Sequence, residues 1–201
     1  MLKTIAKSIS IIFHPVLIPT IGFILLFNSG FYFSMLSWEV KRFILLAVFF
    51  STGLLPLLTF SILAINPRFN INFDKPTDRI LPLLFSAAYY LLGYYLLYRL
   101  PIYPVFRIFL LSTVLVIILL LFISFKWKIS NHMAGIGGLL GTFLALSFRM
   151  GINPVFEIIG LVMLAGAVGT SRMLLGKHDV PQILGGFTLG FTILYLIIFF
   201  S

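Results

Sequence analysis

The sequence contains no cysteine, and only 9% of its 201 residues are charged, against about 25% in a soluble domain. The missing thiols exclude disulfides, thiolate zinc sites, cysteine-ligated iron–sulfur clusters and thiol nucleophiles. The scarcity of charge, beside 61% apolar residues, excludes a water-soluble globule. Acidic side chains are the scarcest charged group, 5 Asp and Glu against 14 Lys and Arg, for a formal net charge of +9. In a membrane chain such an excess belongs to the loops, so no nucleic-acid partner is expected. Anionic lipid headgroups or phosphates are the expected partners. Long linkers, low-complexity tracts and repeats of fixed period are lacking too, so any chemistry must lie in short loops and helix ends.

What the chain has in abundance is apolar runs of span length, about 20 residues each. They fall at about 8–28, 42–66, 79–99, 103–125, 132–149, 153–170 and 182–200. The expected fold is all-α: a polytopic transmembrane helix bundle of six to seven spans, with residues 1–201 forming a single integral membrane domain. The first run is too long for a signal-peptide core and lacks a small-residue cleavage site, so it reads as a retained span. His14, Pro15 and Pro19 fall inside it, and a kinked or partly re-entrant segment is the alternative.

Seven spans sort the loops onto two faces. The N-terminus and the loops near 67–78, 126–131 and 171–181 share one. They hold Asp74, Asp78, His178 and Asp179, with His132 beside them, together with most of the basic residues. Ionisable groups gathered at one end of a membrane bundle suggest a functional site. The plainer reading is loop charge obeying the positive-inside rule. On it, Lys3, Lys7, Arg68, Lys75, Arg79, Lys126, Lys128, Arg172 and Lys177 stand against Lys41, Arg42, Arg99, Arg107 and Arg149. Taking Lys75, Arg79 and Arg172 out of that count for a site leaves the orientation undecided.

The most informative segment runs from Ser171-Arg172 through Lys177-His178-Asp179-Val180-Pro181 to Gln182. It resembles the third signature, SRxxxxxHxxxD, of the type 2 phosphatidic acid phosphatase superfamily, with Gln182 where the family has Asp. Ile129-Ser130-Asn131-His132 resembles the second signature, PSGH, with Ser and His kept. His132 and Ser171 have 38 residues between them, enough for two spans and a return to the same face. For the first signature, KxxxxxxRP, two placements stand: Lys75 with Arg79, which is favoured because Arg79 opens a span, or Arg68 with Lys75 and Pro76. The site-bearing loops are then those near 67–82, 126–132 and 171–182.

The resemblance implies a core like that superfamily's, and phosphoryl transfer through a phosphohistidine, without a metal or other cofactor. It casts His178 as the nucleophile and His132 as the group that protonates the departing lipid oxygen. Gln182 takes the place of the carboxylate that orients His178. Arg172, Lys75, Arg79 and Ser130 become the phosphate ligands. The residue types suit this chemistry, since cations can neutralise a phosphate and helix-start N–H groups add donors. Gln182 can orient a ring but brings no charge, and Asp179 is the other candidate for support of His178. Restoring a carboxylate at 182 is therefore expected to raise turnover. The implied substrate is a membrane phospholipid or isoprenyl phosphate reached from the lipid bilayer: phosphatidic acid, phosphatidylglycerol phosphate, an isoprenyl diphosphate or a lipid A phosphate. The expected location is a bacterial inner (cytoplasmic) membrane; oligomeric state is not encoded legibly.

Two rivals are weighed. Asp74 and Asp78 form a DxxxD pair loosely similar to the first aspartate motif of UbiA prenyltransferases, which would hold Mg²⁺ against a diphosphate. No second Asp pair exists in the chain. A non-catalytic protein that keeps the phosphate cradle for lipid binding, transport or assembly is the other. His14 reads as a packing residue and is left outside the site. Gly135, Gly137, Gly138 and Gly141, with Gly186 and Gly190, read as close helix packing rather than a dinucleotide motif. Tyr89, Tyr90, Tyr94, Tyr95 and Tyr98 read as span packing and interface anchors.

Overall fold

The computed structural model describes residues 1–65 and 79–201. Within them the chain is helical and carries no strand. The helices are α1 (Leu2–Ile12), α2 (Ile18–Asn28), α3 (Trp38–Val48), α4 (Leu55–Ile65), α5 (Ile80–Tyr98), α6 (Pro104–Ser124), α7 (Asn131–Met150), α8 (Val155–Leu174) and α9 (Val180–Phe200). A π-helical turn, Phe49–Leu54, joins α3 to α4 as one continuous stretch. Six helices are long and apolar enough to cross a membrane, or seven if α1 and α2 count as one bent span. The fold is that of an integral membrane protein, as its composition requires.

Local sequence sets the helix ends. Proline opens α6 at Pro104 and lies in the first turn of α9 at Pro181, where its missing N–H costs no helical bond. Gly151 and Gly176 follow α7 and α8 with φ of 62° and 63°, a conformation that L side chains resist. The reversal at Gly176 turns the chain back within four residues, so that His178 and Asp179 stand directly before α9.

The first apolar run differs from a straight span. Pro15 forces His14 into an extended conformation (φ −63°, ψ 140°), which ends α1 at Ile12. A short 3-10 segment, Pro15–Leu17, then restarts the chain as α2, bent 40° from α1. The bend places His14 at a corner rather than along a helix face.

Helix α7 is the centre of the bundle: 67% of its span window is buried, against 22% to 44% for the other five spans. Its small residues let α9 lie against its backbone. A Cβ on Gly137, Gly141 or Gly190 would collide with the carbonyl oxygens of Phe187, Phe191 and Ala134 respectively. A Cβ on Gly186 would meet the Ser130 carbonyl. The packing reading of these glycines holds, and it positions the site, because His132 begins α7 and Gln182 lies in the first turn of α9. Away from the site, Phe23 and Phe27 of α2, Phe106 and Phe109 of α6 and Phe33 after α2 form a cluster of edge-to-face and tilted rings. Tyr90 is buried within the bundle, while Tyr95 and Tyr98 face outward.

Candidate active site

Four contacts tie the site-bearing segments together at one end of the bundle. Arg79, just before α5, donates from Nη1 to the Ile129 carbonyl at 3.1 Å. The Ser130 N–H donates to the Gln182 carbonyl at 3.2 Å, joining the start of α7 to that of α9. His132 Nε2 lies 3.1 Å from the Ser10 carbonyl of α1. His178 Nδ1 lies 3.2 Å from the Lys128 carbonyl. Residues separated by as many as 122 positions thus share one face, which is what an even number of crossings between them predicts for the loops.

The surroundings of His178 determine its tautomer. Its Nδ1 faces two acceptors, Gln182 Oε1 at 2.9 Å and the Lys128 carbonyl, so Nδ1 carries the proton and Nε2 keeps its lone pair. The Gln182 amide is itself oriented, because its Nε2 donates to Asp179 Oδ2 at 3.1 Å and leaves Oε1 to face the imidazole. Asp179 also caps α9, its Oδ1 accepting from the Gln182 N–H at 2.9 Å. Gln182 and Asp179 are therefore successive members of one chain: carboxylate, amide, imidazole. Burial, opposed by the hydrogen bonds to Gln182 and Lys128 and reinforced by the charges of Arg79 and Arg172, lowers the His178 pKa from 6.5 to about 4. At neutral pH the ring is uncharged.

This geometry changes one expectation. An aspartate at 182 would be one methylene shorter than glutamine and would set a second carboxylate against Asp179, so Gln182→Asp gains no orienting group. Gln182→Leu removes the amide link outright. It should lower turnover about tenfold to a hundredfold, read as initial rate per mole of folded protein, with a smaller loss for Asp179→Ala. Equal activity in Gln182→Leu would show that the Lys128 carbonyl alone orients His178.

His178 opens onto a cavity of about 740 Å³ that Arg79, His132, Arg172, Lys7 and Lys177 also line. From this polar end the cavity runs between α4, α5, α6 and α7 past Phe60, Leu83, Val116, Leu120 and Gly138 as far as Tyr90. Arg79 and Tyr90 are eleven positions apart on α5, a rise of about 16 Å, or roughly half the 30 Å hydrocarbon core of a bilayer. The structure thus brings together His178, His132, Arg172 and Arg79. Gln182 stands behind His178, outside the cavity lining. Ser130 is fully buried, its Oγ has no hydrogen-bond partner, and the neighbouring Asn131 lines the cavity in its place. Lys75, with Arg68, Asp74 and Asp78, and with them the first signature and the DxxxD pair, lies outside the described residues.

Sequence reasoning missed His14. It lines the same cavity, its ring meets that of His132 edge-on at 5.4 Å between centroids with an interplanar angle of 78°, and Arg172 lines the same wall. The His14-Pro15 pair inside an apolar run was the available signal, since it marks a corner. Among the described residues no three histidine or carboxylate groups converge so as to hold a metal ion. The chain matches no family model, no curated protein and no solved structure. Fold and site together define an integral membrane protein with a cationic, histidine-bearing cavity that continues into an apolar interior.

Proposed function

We propose that the chain is a lipid phosphatase with a core like that of the type 2 phosphatidic acid phosphatase superfamily, acting in a bacterial inner membrane. Its substrate is a lipid phosphate monoester or diphosphate. The observation that carries this reading is the cavity: a nucleophile-ready imidazole and two guanidinium groups at one end, and about 16 Å of apolar lining behind them. A phosphate fits the first part and a hydrocarbon tail fits the second, at about 0.8 kcal/mol per buried CH₂ relative to water.

In the reaction the His178 Nε2 lone pair attacks phosphorus while Nδ1–H stays on Gln182 Oε1. The bond from phosphorus to the lipid oxygen breaks, and His132 gives that oxygen a proton, releasing the lipid alcohol or, from a diphosphate, the lipid monophosphate. Water then loses a proton to His132 as its oxygen bonds to phosphorus, the P–N bond breaks, and inorganic phosphate leaves. Arg79 and Arg172 offset the charge on the non-bridging oxygens, and Lys75 joins them on the strength of the signature resemblance. An orienting amide in place of a carboxylate favours the second reading, a phospholipid-binding membrane protein without turnover.

The test is phosphate release from a panel of phosphatidic acid, phosphatidylglycerol phosphate, isoprenyl diphosphate and lipid A in detergent with EDTA. Release that survives EDTA is expected. Binding of a lipid phosphate with no release from any substrate would favour the second reading, and strict Mg²⁺ dependence the prenyltransferase-like one.

Acid dependence supplies a further prediction. Because the His178 pKa lies at about 4, kcat/KM should rise with pH through an acid limb near 4 and show no His178 limb near 6.5. The sign for stability is the same. A histidine held neutral in the fold stabilises it fully above pH 6.5 and loses that contribution as pH falls toward 4. A limb at 6.5 or above that vanishes in Gln182→Leu would contradict this assignment.

A further inference from the structure

Four polar atoms around the cavity are buried without a hydrogen-bond partner: Ser10 Oγ, His14 Nδ1, Asn131 Oδ1 and Arg172 Nε. They come from α1, the corner after it, α7 and α8, and all four residues line the cavity. A packing histidine pairs its ring N–H with an acceptor and its bare nitrogen with a donor, because leaving either unpaired costs about 1–3 kcal/mol. His14 forgoes this at Nδ1. The corner also holds it firmly. The His14 carbonyl accepts from Leu17 N–H at 2.8 Å, Pro15 restricts its backbone, and its ring rests edge-on against His132.

We propose that His14 is a third imidazole of the phosphate site, hydrogen-bonding a non-bridging oxygen of the bound lipid phosphate beside Arg172. The inference rests on the lipid-phosphate reading of the cavity and adds to it His14 and Ser10, which lie in none of the three signatures. Arg172 Nε–H, with its fixed planar fork, supplies the charged donor beside them, and Ser10 Oγ is the hydroxyl one turn before the corner. The α1–α2 bend thus forms one side of the headgroup pocket.

The chain has only three histidines, so each ring can be followed separately. The experiment is ¹⁵N-imidazole NMR of the full chain in a neutral maltoside detergent, titrated with dodecyl phosphate, with dodecanol and inorganic phosphate as parallel arms. Assignments come from His14→Phe and His178→Ala. Dodecyl phosphate should shift the His14 ring nitrogens and dodecanol should not. A His178 shift with His14 unmoved overturns this inference and leaves the lipid-phosphate reading intact. No shift at any histidine overturns both. Equal shifts of His14 with dodecanol also overturn it, since the response then belongs to the tail. A shift of His14 with inorganic phosphate supports the contact and shows that the tail is dispensable for it. His14→Phe keeps a planar ring at the corner and should weaken dodecyl phosphate binding about tenfold or more without lowering Tm. Unchanged Kd in a folded His14→Phe protein would assign His14 to packing alone.

Discussion

Replacing His178 with alanine should cut phosphate release from a lipid phosphate by at least about 10³-fold while leaving lipid binding in place. The loss is large because His178 is asked to form the bond to phosphorus, and no other described imidazole is arranged in the same way. His132 turns its Nε2 to the Ser10 carbonyl, and His14 holds no hydrogen-bonded orienting partner at Nδ1. Only His178 has a ring N–H fixed on two carbonyl oxygens, with the opposite nitrogen left for attack. Binding should survive because Arg79, Arg172 and the apolar lining remain. The measurement is initial-rate phosphate release paired with a direct lipid-binding assay. Residual activity above a tenth of wild type would remove His178 from the nucleophile's role.

The second large effect is structural. Gly190→Ala should sharply reduce folded yield and Tm, and with them activity, although the added group is one methyl. Its Cβ would run into the Ala134 carbonyl oxygen and lie 2.7 Å from the carbonyl carbon, atoms of a helix backbone that cannot move aside as a side-chain tip would. Overpacking of well-filled interiors costs about 1–3 kcal/mol, and relief here requires separating α7 from α9. That separation would pull His132 at the head of α7 away from Gln182 and His178 at the head of α9. The control is Gly160→Ala or Gly166→Ala, where a Cβ meets nothing within 4 Å. These should be neutral or stabilising by up to about 1 kcal/mol through helix propensity. Thermal unfolding in detergent separates the cases, and equal Tm in all three variants would refute the close approach of α7 and α9.

The spans were legible because apolar run length is a strong signal: the run read at about 103–125 is α6 at Pro104–Ser124, and that at about 182–200 is α9 at Val180–Phe200. Glycine packing along α7 was legible from the spacing of small residues. The corner at His14 was only half legible. Proline announces a disturbance, but the angle at the corner depends on α8 packed against α1 and on α7 packed against α2. For the same reason the partnership of His14 with His132 could not be read from residues 118 positions apart. The support of His178 was legible as a choice between Gln182 and Asp179. The structure resolves it into a series, because Asp179 caps α9 and the cap turns the Gln182 amide toward the ring. The burial of Ser130 outside the cavity lining was not legible, because it depends on how the start of α7 packs against α9.

The central claim is a covalent bond between phosphorus and His178. Its most direct test is rapid quenching of the full-length protein during turnover of a ³²P-labelled lipid phosphate in EDTA, followed by measurement of alkali-stable, acid-labile label on the chain. The account predicts label on wild type, mapped to the peptide containing His178, and none on His178→Ala. Turnover with no label on wild type, or equal label on His178→Ala, would contradict it.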